Sequence, residues 1–135
     1  MRMRSSAALV TPLVIGLSVA LAGCAYIGEV RAMKAFRDGN MFYAVSDWNQ
    51  AAEEYEKAVQ MTATDASCTW CPAIYFYLGN SYDNMYLPAR KGEPANDEML
   101  HKAIANYKLA SEKLTEETVP KRSLALDFLV AATRR

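Results

Sequence analysis

Tyr75–Tyr82 reads YFYLGNSY, and Ala35–Phe42 reads AFRDGNMF. Both put an aromatic residue three positions after the glycine of a Gly-Asn step. Downstream, AAEEYEKAV (Ala51–Val59) matches AIANYKLAS (Ala103–Ser111): an alanine, an aromatic four residues on, and an alanine three beyond it. Side chains three and four apart share one face of a helix, so each copy reads as two helices with one apolar stripe apiece. Gly39 and Gly79 carry no side chain, so the second helix of each pair can approach there, with Ala51 and Ala103 as its small partners. Phe42, Tyr82, Tyr55 and Tyr107 fill the space around each contact. A glycine inside a helix costs about 1 kcal/mol relative to alanine, so packing has to compensate.

The pattern resembles the tetratricopeptide repeat, W-x2-L-G-x2-Y…A-x3-F…P. Tyr75, Leu78, Gly79, Tyr82, Ala103, Tyr107 and Ala110 match in the second copy, and Gly39, Phe42, Ala51, Tyr55 and Ala58 in the first. The first copy departs from the family at Asp38, where leucine is expected, and at Ala35, which replaces the large aromatic. The resemblance implies an all-α fold: two antiparallel tetratricopeptide-type helix pairs plus a C-terminal half-repeat helix, a short right-handed α-solenoid. Repeat 1 covers about 32–65, repeat 2 about 72–114 and the half repeat 120–135, within a helical domain spanning 31–135.

Periodicity and breakers predict helices over about 29–44, 47–62, 72–85, 97–114 and 121–133. Gly79 to Ala103 is twice the twelve residues that separate Gly39 from Ala51. The surplus, YLPARKGEPAND (86–97), holds Pro88, Gly92 and Pro94 and reads as a loop insertion. Asn96 or Asp97 is the expected cap of the next helix. Pro120 opens the last helix, where a missing N–H is harmless. There Leu124, Ala125, Phe128, Leu129 and Ala132 form one apolar face. LALDFLVAA has little polarity, so that helix either packs against the second repeat or leaves an apolar patch.

The N-terminus carries a different signal. MRMRSS is basic, AALVTPLVIGLSVALA is apolar but interrupted by Pro12 and Gly16, and LAGC (Leu21–Cys24) follows. The run is shorter than the ~20 residues of a spanning helix and reads as a secretory signal peptide over 1–23. Its end resembles the bacterial lipoprotein signal. That resemblance implies cleavage after Gly23 and diacylglycerol plus acyl chains such as palmitate on Cys24, with 24–30 as a lipid-anchored tether. At ~0.8 kcal/mol per buried methylene, two or three chains would hold the protein to a membrane. In the enterobacterial sorting pattern of that family, Ala25 in place of aspartate implies the outer membrane, facing the periplasm.

The 15 basic and 15 acidic residues balance, which gives no electrostatic case for nucleic acid. With 52% hydrophobic residues the chain has enough apolar surface to fold. Cys68 and Cys71 form CTWC in the connection between the copies. A disulfide suits an oxidising compartment; a redox centre or two free thiols are the alternatives. Pro72 stands where haem attachment needs histidine, and a zinc site lacks ligands, since His101 is the only histidine. A lone histidine has no base–partner pair, and the acidic runs Glu53–Glu56 and Glu116–Glu117 read as solvated faces. No nucleophile–base motif, phosphate loop or metal constellation appears, so neither enzyme activity nor a cofactor is expected, apart from the lipid on Cys24.

In tetratricopeptide domains the first helix of each pair lines a peptide groove. Carried over, that face holds Met33, Phe36, Asn40 and Tyr43, then Ala73, Phe76, Asn80 and Asp83. Phe36 and Phe76 occupy the position of the lysine that clamps C-terminal carboxylates in some members, so that clamp is not supported. The alternative is that the tether or the last helix buries these aromatics. The expected function is a membrane-anchored, non-catalytic adaptor for a protein or peptide partner in the cell envelope. The alternatives are a thiol–disulfide protein using Cys68 and Cys71, and an envelope protein that self-associates through its last helix.

Overall fold

All five prolines lie at the first or second residue of a helical element, where a fixed φ and a missing N–H are tolerated. The computed structural model describes the backbone of residues 11–62, 68–114 and 119–135, and the side chains of the same residues from 27 onward except 119–124. Among them are five helices and no strand: α1 (Thr11–Ala44), α2 (Trp48–Thr62), α3 (Cys71–Met85), α4 (Pro94–Lys113) and α5 (Val119–Thr133). Sequential helices pack on one another: α1 on α2, α2 on α3, α3 on α4 and α4 on α5. Helix α5 also reaches α3.

Two helix starts differ by three residues or more from those read in the sequence. Helix α1 is unbroken from Thr11, so the expected tether is helical; no proline between Leu13 and Ala44 interrupts it. Helix α4 begins at Pro94, three residues early, because proline suits a first helical turn. The 86–97 loop is correspondingly shorter and contains a 3-10 turn, Pro88–Arg90. Asn96 and Asp97 therefore lie inside α4 and reach back to the loop instead of capping the helix. Asn96 holds both backbone groups of Leu87, accepting from its N–H at 2.8 Å and donating to its carbonyl at 3.1 Å. Asp97 accepts from the N–H of Gly92, whose φ of 97° is left-handed and favours glycine. Between α1 and α2 the left-handed residue is Ser46, and the Asp47 carboxylate accepts the Gln50 N–H at the start of α2.

The core follows from the two glycines. A Cβ on Gly39 would lie 2.6 Å from the Tyr55 ring. One on Gly79 would lie 2.9 Å from the Tyr107 ring and 3.2 Å from the Ala103 carbonyl oxygen. Each tyrosine lies across a glycine of the neighbouring helix, and both are fully buried. Ala51, Ala58, Ala103 and Ala110 are fully buried too and let the backbones approach. Ala35, in place of the large aromatic, is buried, whereas Asp38 is only half-buried and pairs with Lys34.

The last helix does both things its composition allows. Ala125 and Ala132 are buried, and Phe128 stacks on Tyr107 at 5.6 Å and meets Phe76 edge-on at 5.8 Å. On the other side Leu126 and Val130, one turn apart, are exposed.

Candidate functional site

Where the first helices of the two pairs face each other, α1 and α3 leave a pocket of about 310 Å³. Phe36 and Asn40 of α1, one turn apart, supply one wall; Ala73 and Tyr77 of α3, also one turn apart, supply the other. Thr69 and Trp70, just before α3, and Leu114, just after α4, complete it. No lining side chain is charged. Tyr77 is the aromatic hub: its ring lies 5.4 Å from Tyr43, 5.9 Å from Tyr55 and 6.0 Å from Phe36. Phe36 in turn lies 5.6 Å from Trp70.

The Gly-Asn steps have a structural use that the sequence did not disclose. Tyr55 donates its hydroxyl to Asn40 Oδ1 at 2.8 Å. In the second pair Asn80 Nδ2 donates to the Tyr107 hydroxyl at 3.2 Å. Each asparagine ties its helix to the tyrosine that covers the preceding glycine. Asn80 also accepts from the Tyr43 hydroxyl at 2.6 Å and from Asn84 at 3.0 Å. The Tyr107 hydroxyl donates to Asp83 at 3.3 Å, and Asp83 is paired with Arg135.

The residues of the expected groove divide between the pocket and this network. Phe36 and Asn40 line the pocket. Phe76, Asn80 and Asp83 are buried: Phe128 of α5 packs on Phe76, Arg135 after α5 pairs with Asp83, and Tyr43 and Tyr107 engage Asn80. Tyr43 is half-buried and engaged by Asn80. Met33 is exposed but away from the pocket lining. Ala73 does line it, joined by Tyr77 where Phe76 was expected, a shift of one residue around the helix. Trp70, Thr69 and Leu114 lie outside regular helix and carried no periodic signal. The aromatic flanked by the two cysteines was the only clue.

Cys68 and Cys71 are joined by a disulfide with a Cα–Cα distance of 5.5 Å, which replaces the free-thiol alternative. His101 is exposed on α4. The side chain of Cys24, and the basic start and apolar run before it, lie outside the described residues. Among the described residues no helix is long and apolar enough to cross a membrane.

Burial sets the acid–base behaviour of the tyrosines. It is the first cause holding the Tyr43, Tyr55, Tyr82 and Tyr107 phenols above their ordinary value of 10.0. The Glu56 carboxylate that accepts from Tyr82, and Asp83 beside Tyr107, push in the same direction. The folded protein keeps these protons at a pH where the unfolded chain releases them, near 10. Their stabilisation is thus complete below pH ~10 and is lost as pH rises toward the folded values. In an alkaline titration, phenolate absorbance from these residues and loss of helical circular dichroism should share one midpoint. Full phenolate absorbance with the helices intact would contradict this.

Comparison with protein-family models, curated proteins and solved structures finds no match.

Proposed function

We propose that the chain is a lipid-anchored envelope protein that acts as a non-catalytic adaptor, with α1–α2 and α3–α4 as tetratricopeptide-type repeats and α5 as a half repeat. The observation that carries this is the uncharged, aromatic pocket between the first helices of the two pairs. Supporting it, the Tyr55 ring lies over Gly39 and its hydroxyl bonds Asn40, as the Tyr107 ring lies over Gly79 and its hydroxyl bonds Asn80. Processing at Gly23–Cys24 would leave α1 starting at the acylated residue, with Ala44 at its far end. In this proposal the lipid sets the location and the helical domain does the capturing.

The pocket chemistry selects the kind of partner. With no charged lining, it does not favour a phosphate, a carboxylate or an ammonium group. It suits an extended peptide that inserts one apolar side chain among Phe36, Trp70 and Tyr77. The Asn40 Oδ1 is engaged by Tyr55, so the amide would offer its Nδ2 hydrogens to the peptide backbone.

Peptides selected from a display library against the full chain in detergent test this. Ala73→Leu fills the pocket from its α3 wall. Selected peptides should lose affinity for that variant by about tenfold or more, while its circular dichroism stays unchanged. Undiminished binding to a folded Ala73→Leu protein would move the site elsewhere.

A further inference from the structure

The disulfide ring encloses just two residues, Thr69 and Trp70, and both are walls of the pocket. We infer that the Cys68–Cys71 disulfide is a redox switch on ligand capture: closed, it holds Thr69 and Trp70 in place as the pocket wall; opened, it releases them and weakens binding. This rests on the pocket being the ligand site.

The location of the link supports a local role over a general staple. Both cysteines belong to one short segment, so the bond ties neither helix pair to the other. A ring this small removes little entropy from the unfolded chain, and loop length governs that gain. Its mechanical effect falls on the two residues it encloses. Cys71 is a firm anchor, being the buried first residue of α3, with Pro72 fixing the next φ. Trp70 is the residue before the helix. Its carbonyl accepts from the Ala73 N–H at 3.0 Å, and no side chain caps this helix end. The Thr69–Trp70 segment thus runs into the helix at one end and is tied back to it by sulfur at the other. The Trp70 ring packs 5.6 Å from Phe36, across the pocket on α1. Once the sulfur link is cut, the segment loses that covalent tie, and binding a ligand carries the added entropic cost of ordering Trp70.

The chemistry needs a dithiol reductant from outside the chain. Cys68 is the more accessible cysteine and Cys71 is buried. A reductant thiolate attacks Cys68 Sγ, the S–S bond breaks, and Cys71 leaves as a thiolate at the N-terminus of α3, where free N–H groups favour negative charge. The second thiolate of the reductant then attacks the mixed disulfide. Two electrons and two protons pass to the protein, leaving thiols at Cys68 and Cys71 and a disulfide in the reductant. Oxidation by a disulfide of higher potential reverses each step.

The test uses N-acetyl-leucine amide, one apolar side chain between two peptide groups. It is titrated into the full chain in detergent while the Asn40 side-chain amide and Trp70 indole N–H resonances are followed. Three proteins are compared: oxidised, reduced by a dithiol, and Cys68→Ser/Cys71→Ser. Saturable shifts of both resonances are expected in the oxidised protein. The reduced protein and the double variant should bind about three- to tenfold more weakly, the cost of ordering one large side chain. Equal affinity in all three, with helix content unchanged, overturns the switch and leaves the pocket standing. No saturable shift in any of them overturns both. A double variant that fails to fold leaves the oxidised and reduced proteins to decide.

Discussion

Tyr107→Ala is expected to lower the unfolding free energy by about 4 kcal/mol. The side chain is fully buried. Its ring covers Gly79, stacks on Phe128 and lies 6.1 Å from Phe76, so truncation opens a cavity bordered by α3, α4 and α5 together. Its hydroxyl also accepts from Asn80 and donates to Asp83. Tyr107→Phe keeps the ring and removes only that bridge. It should cost about 1–3 kcal/mol, because Asn80 and Asp83 are themselves buried and lose a partner. A small domain has about 5–15 kcal/mol in total, so the alanine variant should be close to unfolding at ordinary temperature. Denaturant titration followed by circular dichroism measures both values. A loss below about 2 kcal/mol for Tyr107→Ala would mean that the ring is not the contact joining these three helices.

The glycines should respond with opposite signs according to what lies in front of them. A Cβ at Gly79 meets the Tyr107 ring and a backbone carbonyl, and one at Gly39 meets the Tyr55 ring. Neither tyrosine is free to move aside, since both are fully buried. Gly39→Val and Gly79→Val should each cost about 3 kcal/mol, at the upper end of overpacking. The matching alanine variants should cost less, because each regains about 1 kcal/mol of helix propensity. Gly28 lies in α1, and a Cβ there would meet nothing within 4 Å. Gly28→Ala should therefore stabilise α1, by up to about 1 kcal/mol. The same substitution thus reads propensity alone at one site and steric fit at two others. Stabilisation by Gly79→Ala would show that α3 and α4 do not meet at this point.

Legibility followed the range of the forces involved. The proline positions and the apolar stripes recur at short spacings, and helices with those faces resulted. Errors gathered where a residue had two possible neighbours. Asn80 and Asp83 looked like groove residues on α3, but their surroundings depend on Tyr43 and Arg135, far away in the chain. Asn96 and Asp97 looked like caps, but Pro94 moved the helix start past them.

The sequence by itself determined that this chain forms helices and where most of them lie, because those choices rest on spacings of a few residues; that a tyrosine ring lies over each glycine is a contact between helices. Only the tertiary structure decided which stripe of α3 stays open. The C-terminal segment covers Phe76 with Phe128 and Asp83 with Arg135, Tyr43 and Tyr107 engage Asn80, and Ala73 and Tyr77 are left to line the pocket. Trp70 and Leu114 likewise join that pocket only when the helices on either side are in place. A stripe becomes a site or a core according to what packs on it, and that is a property of contacts between residues distant in the chain.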